Sequence, residues 1–163
     1  MSRQLDRLAE RILKSAKAAD LQVVTAESCT AGAVAHVLSK AEGASKYLAG
    51  GFVTYTKEMK SRVLGVPMAA LKTKGAVSAE VAEAMARGAL ARSGASIAVA
   101  VTGVAGPEPD EDGNPVGLIY CAVVRRGQAP RSVRLQSSAT QRRAILDEAT
   151  LEALTLLRSA CED

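Results

Sequence analysis

Four polar residues that can do chemistry follow a short apolar run in the segment VVTAESCTAG, residues 23–32. They are Glu27, Ser28, Cys29 and Thr30. A hydroxyl at a strand-to-helix turn lies beside backbone N–H groups and the positive end of a helix dipole, and these are the parts of an oxyanion site. Ser and Thr are also common helix caps, so a plain N-cap at Ser28 or Thr30 is the alternative interpretation.

A serine nucleophile needs a base that removes its proton. The only histidine, His36, is predicted to lie inside a helix, and no Ser/His/Asp set is evident. A lysine can serve when burial or a nearby cation lowers its pKa. Lys60 is the candidate, about one turn into the predicted helix 57–64, which follows a strand that ends near Tyr55 and which Thr56 is predicted to cap. A solvated helix face is the alternative for Lys60. Cys29 is a second possible nucleophile without an obvious activator.

A third polar loop begins with TGVAGP at residues 102–107. Its glycines allow a ligand to approach the backbone closely, although a tight turn would need them equally. The acids at residues 110–112 are either metal ligands or a solvated loop. Arg142 opens the last predicted helix, where it would hold a phosphate beside the helix N-terminus or remain solvated.

The apolar patterns predict the elements that position these loops. Alternating or continuous apolar runs indicate strands, and apolar residues at helical spacing indicate helices. We predict an α/β fold, a single three-layer domain over residues 1–163 with a mixed β-sheet and helices on both faces. Ligands collect at the carboxyl ends of strands in such sheets, so the three loops should meet at one edge. The predicted strands are 21–25, 50–56, 96–103, 116–124 and 131–136, and the predicted helices are 2–19, 30–40, 57–64, 77–94 and a long one after residue 138.

Composition narrows the function classes. The chain has 163 residues, a net charge of +4, 48% apolar residues and only 2% aromatic residues. Nucleic-acid binders combine a concentrated basic face with stacking aromatics, and this chain has neither. No run approaches the roughly 20 apolar residues of a membrane span, and no leader is evident. Three separated cysteines and one histidine have no zinc spacing and suit a reducing cytoplasm.

The loops taken together resemble a known family. TAESCTAG, GGFVTYTKEMKSRVLGV, GAVS and VTGVAGP…NPVG resemble the ordered motifs of the C-terminal domain of the competence/damage-inducible protein CinA, over about residues 5–157. Stand-alone members of that family are nicotinamide-nucleotide amidohydrolases, and the chain resembles this single-domain form. The resemblance implies a Ser/Lys amidohydrolase that converts nicotinamide mononucleotide to nicotinate mononucleotide and ammonia, without a metal or organic cofactor.

The resemblance also implies roles for individual residues. It places the nucleophile at Ser28, the lysine base at Lys60 and an assisting tyrosine at Tyr55. The expected partner is the small nucleotide substrate, and a homo-oligomer is possible. A non-catalytic nucleotide-binding or regulatory module is the alternative, favoured by Thr-Gln-Arg at residues 140–142 where the family has Gly-Asp-Arg. The expected substrate-binding residues are Glu27, Cys29, Thr30, Thr102, Gly103, Gly106 and Arg142.

Overall fold

The apolar strands near residues 23 and 97 lie side by side at the centre of a five-stranded sheet. The computed structural model describes residues 2–162, and its strand order is β2-β1-β3-β4-β5. The first three strands are parallel, whereas β4 is antiparallel to both of its neighbours. The predicted mixed sheet is therefore confirmed. The strands are β1 Val23–Glu27, β2 Leu48–Val53, β3 Ile97–Gly103, β4 Leu118–Arg125 and β5 Arg131–Gln136.

Seven helices of the described chain cover both faces of the sheet. The two apolar layers arise because successive strand residues point to opposite faces. Val23 and Val99 pack toward the first and last helices, whereas Val24 and Ala98 pack toward the sixth. No helix of residues 2–162 is long and apolar enough to cross a bilayer. The helices are α1 Ser2–Ala18, α2 Ala33–Ser39, α3 Ala44–Tyr47, α4 Lys57–Leu64, α5 Met68–Lys74, α6 Ala79–Ser93 and α7 Arg142–Glu162.

The boundaries differ from the prediction where tertiary pairing extends or shortens an element. Strand β1 runs two residues further than predicted, because Glu27 pairs with Val53 on one side and Val101 on the other. Helix α2 begins at Ala33 instead of residue 30. Two short helices, α3 and α5, were not predicted, since segments of four and seven residues carry little periodic signal.

Helix α4 is held in a fixed position over the sheet. Thr56 caps its N-terminus as the sequence suggests, with its side chain accepting a hydrogen bond from the Met59 N–H. At its other end, the Leu64 carbonyl lies where a β-carbon on Gly88 of α6 would be. Only glycine permits this approach, which lets α4 pack closely on α6 and turns Lys60 and Leu64 inward.

Candidate active site

The structure brings a buried lysine against a buried serine at the edge of the sheet. The Lys60 Nζ lies 2.7 Å from the Ser28 Oγ and donates to the Thr54 carbonyl at 3.0 Å. Lys60 is 1% exposed and Ser28 is 7% exposed. The interpretation of Lys60 as a solvated helix face is therefore wrong. The loops after β1 and β2 meet here because parallel strands end at the same edge of the sheet.

Burial lowers the pKa of Lys60 from the usual 10.5 to about 8. Loss of water around Nζ is the main cause; interaction with Cys29 opposes it and the nearby Lys57 cation adds to it. No carboxylate among residues 2–162 forms an ion pair with Lys60 to compensate. An ammonium carries three donors, and only two acceptors are in place here. Near pH 8 the neutral amine is thus available to accept a proton from Ser28.

The lowered pKa predicts that Lys60 destabilises the folded protein at neutral pH. The unfolded chain keeps this proton up to pH 10.5, whereas the folded protein releases it near pH 8. Between these values the unfolded state binds more protons at Lys60, so the contribution of Lys60 to the stability of the folded protein becomes less unfavourable as pH rises. We expect Lys60→Met to be more stable than wild type at pH 7, with an advantage that shrinks by about 3 kcal/mol toward pH 10.5.

Urea unfolding of both proteins at several pH values between 7 and 9.5 measures this change. Lys72→Met is the control, because Lys72 is exposed on α5 and its loss should leave the pH dependence of the wild type unchanged. A stability difference between wild type and Lys60→Met that stays constant over this range would contradict a lowered pKa at Lys60.

Glu27 organises the turn that carries the serine. Its carboxylate is 1% exposed and accepts hydrogen bonds from the N–H groups of Gly32, Val34 and Ala35 at the start of α2. It also accepts from two threonine hydroxyls, those of Thr25 and Thr30. The N-cap residue is Gly32, and the Glu27 carboxylate accepts the hydrogen bonds that a capping side chain would accept, so the interpretation of Ser28 or Thr30 as the cap is wrong.

The backbone N–H groups of the turn differ in their availability. The Ser28 N–H donates to the Val101 carbonyl at 3.1 Å, which excludes it as an oxyanion donor. Within residues 2–162 the N–H groups of Cys29 and Thr30 have no carbonyl partner. These two groups are the candidate oxyanion donors. Burial raises the pKa of the Cys29 thiol to about 11, so it is a poor nucleophile at neutral pH.

Arg142 connects two of the three loops. One of its terminal nitrogens donates to the Tyr55 hydroxyl at 3.0 Å and the other to the Gly106 carbonyl at 2.6 Å. The Tyr55 side chain is 54% exposed, and its hydroxyl makes no hydrogen bond with Ser28 or Lys60 in the described structure. The structure thus places Tyr55 at the mouth of the site. Arg142, despite its exposure, is hydrogen-bonded instead of simply solvated.

A cavity of about 350 Å³ opens beside the dyad. Most residues predicted for the site line it, including Tyr55 and Arg142, whereas Glu27, Thr30 and Gly106 do not. The Thr102 hydroxyl is engaged in an intramolecular hydrogen bond, in which it donates to the Ala76 carbonyl at 2.9 Å. The lining residues are Ser28, Cys29, Tyr55, Lys60, Ala76, Val77, Thr102, Gly103, Ala105, Asp110, Glu111, Asp112 and Arg142.

The acidic loop after β3 belongs to the cavity, which sequence reasoning missed. Asp110 accepts hydrogen bonds from the N–H groups of Asp112 and Asn114 and thereby shapes the loop. Asp112 contacts the Lys57 ammonium at 2.7 Å and the Ala76 N–H at 3.1 Å. The Glu111 side chain is 74% exposed and that of Asp112 only 23%, so the acidic loop is partly solvated and partly packed against the protein. No group of three metal-binding side chains occurs in the part of the chain that the structure describes.

A model of the CinA C-terminal domain matches residues 5–161. The chain belongs to this family. A CinA-like protein from Geobacter sulfurreducens is 47% identical over 138 residues, which are 85% of this chain and 33% of the relative. The chain spans about a third of the length of the first curated relatives it matches. A Pseudomonas putida protein named nicotinamide-nucleotide amidohydrolase PncC is 47% identical over 115 residues, covering 71% of this chain and 72% of that protein.

Solved structures of CinA superfamily proteins share the whole architecture. The competence/damage-inducible protein CihA from Agrobacterium tumefaciens is 40% identical with a TM-score of 0.92, over 98% of this chain and 96% of that one. A CinA superfamily protein from Escherichia coli is 35% identical with a TM-score of 0.90, over 94% and 88% of the two chains. The three-layer α/β fold is therefore that of the CinA superfamily.

Proposed function

We propose that this CinA-family domain hydrolyses the amide of nicotinamide mononucleotide to nicotinate mononucleotide and ammonia. The observation that carries the proposal is the 2.7 Å contact between a buried Lys60 amine and the Ser28 hydroxyl. Such an amine is the base that a serine nucleophile needs where no histidine is available. The relative named nicotinamide-nucleotide amidohydrolase supports the choice of substrate.

The mechanism uses Ser28 as nucleophile and Lys60 as general base. Neutral Lys60 takes the hydroxyl proton while the Ser28 oxygen attacks the amide carbon. The oxyanion that forms accepts from the N–H groups of Cys29 and Thr30, each worth roughly 3 kcal/mol in comparable sites. Lys60 returns the proton to the leaving nitrogen, and ammonia departs. Water, deprotonated by the same amine, then hydrolyses the ester and restores Ser28.

Arg142 is the proposed phosphate anchor. It lines the cavity at the N-terminus of α7, where the helix dipole adds a partial positive charge. A guanidinium has five N–H donors, so bonds to Tyr55 and Gly106 leave others for phosphate oxygens. Tyr55 then assists through Arg142 at the cavity mouth, because its hydroxyl is hydrogen-bonded to the arginine and not to the dyad.

An ammonia assay with nicotinamide mononucleotide tests the proposal. We expect steady ammonia release from the nucleotide and much slower release from nicotinamide riboside, which lacks the phosphate. Arg142→Met should raise KM for the nucleotide about tenfold or more, because charge-assisted bonds contribute roughly 1.5–3 kcal/mol, and should leave turnover of the riboside unchanged. Absence of ammonia from both compounds would overturn the proposal.

The second candidate is a nucleotide-binding or regulatory module without turnover. Thr-Gln-Arg at residues 140–142, where the family resemblance leads one to expect Gly-Asp-Arg, favours it. Saturable binding of the nucleotide without ammonia release would support this candidate.

The remaining expectations concern location and assembly. Three free thiols, Cys29, Cys121 and Cys161, support a location in the reducing cytoplasm. A homo-oligomer stays a prediction.

A further inference from the structure

A charged cluster outside the dyad links helix α4 to the acidic loop. The Lys57 ammonium lies 2.7 Å from the Asp112 carboxylate and 2.9 Å from the Glu111 carboxylate. Asp112 uses its second oxygen to accept from the Ala76 N–H, and the Ala76 carbonyl accepts from Thr102. These contacts join α4, the segment before α6, β3 and the loop after it. We call Lys57, Glu111 and Asp112 the charge clamp.

The charge clamp lies one helical turn from the base of the dyad. Lys57 and Lys60 are three residues apart on α4, so their side chains leave the same face of the helix. Two carboxylates keep Lys57 protonated by raising its pKa, and Lys57 lowers the pKa of Asp112 in return. Lys57 therefore stays a cation over the whole range in which Lys60 titrates.

We propose that Lys57 is a positioning residue for the dyad, which fixes α4 against the acidic loop through its ion pairs with Glu111 and Asp112 and places their net charge one helical turn from Lys60. This inference rests on the proposed function for its effect on turnover, although the titration of Lys60 is measurable without turnover. The charge clamp has one cation and two carboxylates, so its charges do not cancel and it is negative overall. Removing Lys57 makes the electrostatic potential at Lys60 more negative, whereas removing a carboxylate makes it more positive.

Several charged or titratable groups face Lys60 and must be weighed with the clamp. The segment between α5 and α6 adds only Ala76 and Val77 to the lining. Cys29 is protonated at neutral pH because its pKa is raised, so Lys57 is the charged group that lowers the pKa of Lys60. The charged or titratable groups that line the cavity with Lys60 or act on its pKa are Cys29 after β1, Tyr55 after β2, Lys57 on α4, Asp110, Glu111 and Asp112 after β3, and Arg142 on α7.

The experiment uses two opposite single variants and their combination. Lys57→Met leaves two carboxylates unopposed, so the Lys60 midpoint should rise by about half a pH unit. Asp112→Asn leaves one cation and one carboxylate, so the midpoint should fall by a similar amount. The double variant restores the net charge of the wild-type clamp and should return the midpoint close to its original value. All shifts should shrink in 1 M NaCl, where the Debye length is about 3 Å.

The pH midpoint of the Lys60 titration is measured in two independent ways. The pH profile of kcat/KM for the nucleotide gives it from turnover. The pH dependence of the unfolding free energy, relative to the same protein with Lys60→Met added, gives it without turnover. If turnover is absent but the midpoint from the unfolding measurements moves as expected, the proposed function is wrong and the proposal for the charge clamp is supported.

Two controls separate the clamp from general effects of charge and folding. Lys72→Met removes an exposed lysine on α5, and Glu58→Gln removes an exposed acid on α4 that no clamp member contacts. Both should leave the midpoint unchanged. If Lys57→Met does not fold, Asp112→Asn carries the test in the other direction. Midpoints of Lys57→Met and Asp112→Asn that match those of the controls would overturn the proposal.

Discussion

Ser28→Ala is expected to reduce ammonia release from nicotinamide mononucleotide by about 10³-fold or more. The alanine removes the oxygen that attacks the amide carbon, and no other hydroxyl in the described structure bonds to the Lys60 amine. Cys29 cannot substitute, because burial raises its pKa to about 11 and keeps its thiol protonated. Coupled detection of ammonia under substrate saturation measures the loss in kcat.

The fold should survive this substitution. Among residues 2–162 the Ser28 hydroxyl is hydrogen-bonded to the Lys60 amine alone, and the backbone bond from Ser28 to Val101 is unaffected by the side chain. The urea midpoint of Ser28→Ala should therefore stay close to that of Ser39→Ala, a control at the exposed end of α2 that is expected to retain full activity. Lys60→Met should lose as much activity as Ser28→Ala, and the double variant no more than either, since the two residues act as one unit. Ammonia release by Ser28→Ala at the wild-type rate would end the proposed mechanism.

The parts of the site that sequence predicted are those encoded by local patterns. Three apolar runs, each followed by polar residues, predicted that the loops after β1, β2 and β3 would meet at one edge. Thr56 as the cap of α4 followed from its residue type and position, and the structure confirms it. With α4 starting at Lys57, helical spacing turns Lys60 toward the sheet beside Leu64. The family resemblance then singled out Ser28 and Lys60, which the structure brings to hydrogen-bond distance.

The parts that sequence missed depend on contacts between distant segments. Lys57 and Asp112 are 55 residues apart, and nothing in a charged loop indicates which lysine it will meet. Arg142 and Tyr55 are 87 residues apart, and their contact moves the tyrosine to the cavity mouth. Glu27 was read as a residue that orients neighbours or binds substrate, because its strand was expected to end at residue 25. Strand pairing continues for two more residues and buries Glu27, whose carboxylate then binds N–H groups at the start of α2.

Glu27→Gln is expected to lower the free energy of unfolding by about 3 kcal/mol or more. Glutamine has nearly the shape of glutamate, but one carboxylate oxygen becomes an amide NH₂ that can only donate. The two oxygens of Glu27 accept five hydrogen bonds, among them a 2.6 Å bond from the Thr30 hydroxyl. In the variant, donors face donors in a site with 1% exposure, where water cannot reach them. The shift of the urea midpoint, at unchanged slope, measures the loss.

This loss should reach the dyad, because the same carboxylate holds the start of α2 and the turn that carries Ser28. Activity of Glu27→Gln, measured where the variant is still folded, should therefore fall together with its stability. Glu42→Gln is the matched control: Glu42 is exposed after α2, and its replacement should change stability by less than about 0.5 kcal/mol. If Glu27→Gln were as stable as Glu42→Gln, the five bonds would not hold this turn, and the position of Ser28 would have to depend on the pairing of β1 with its neighbours alone.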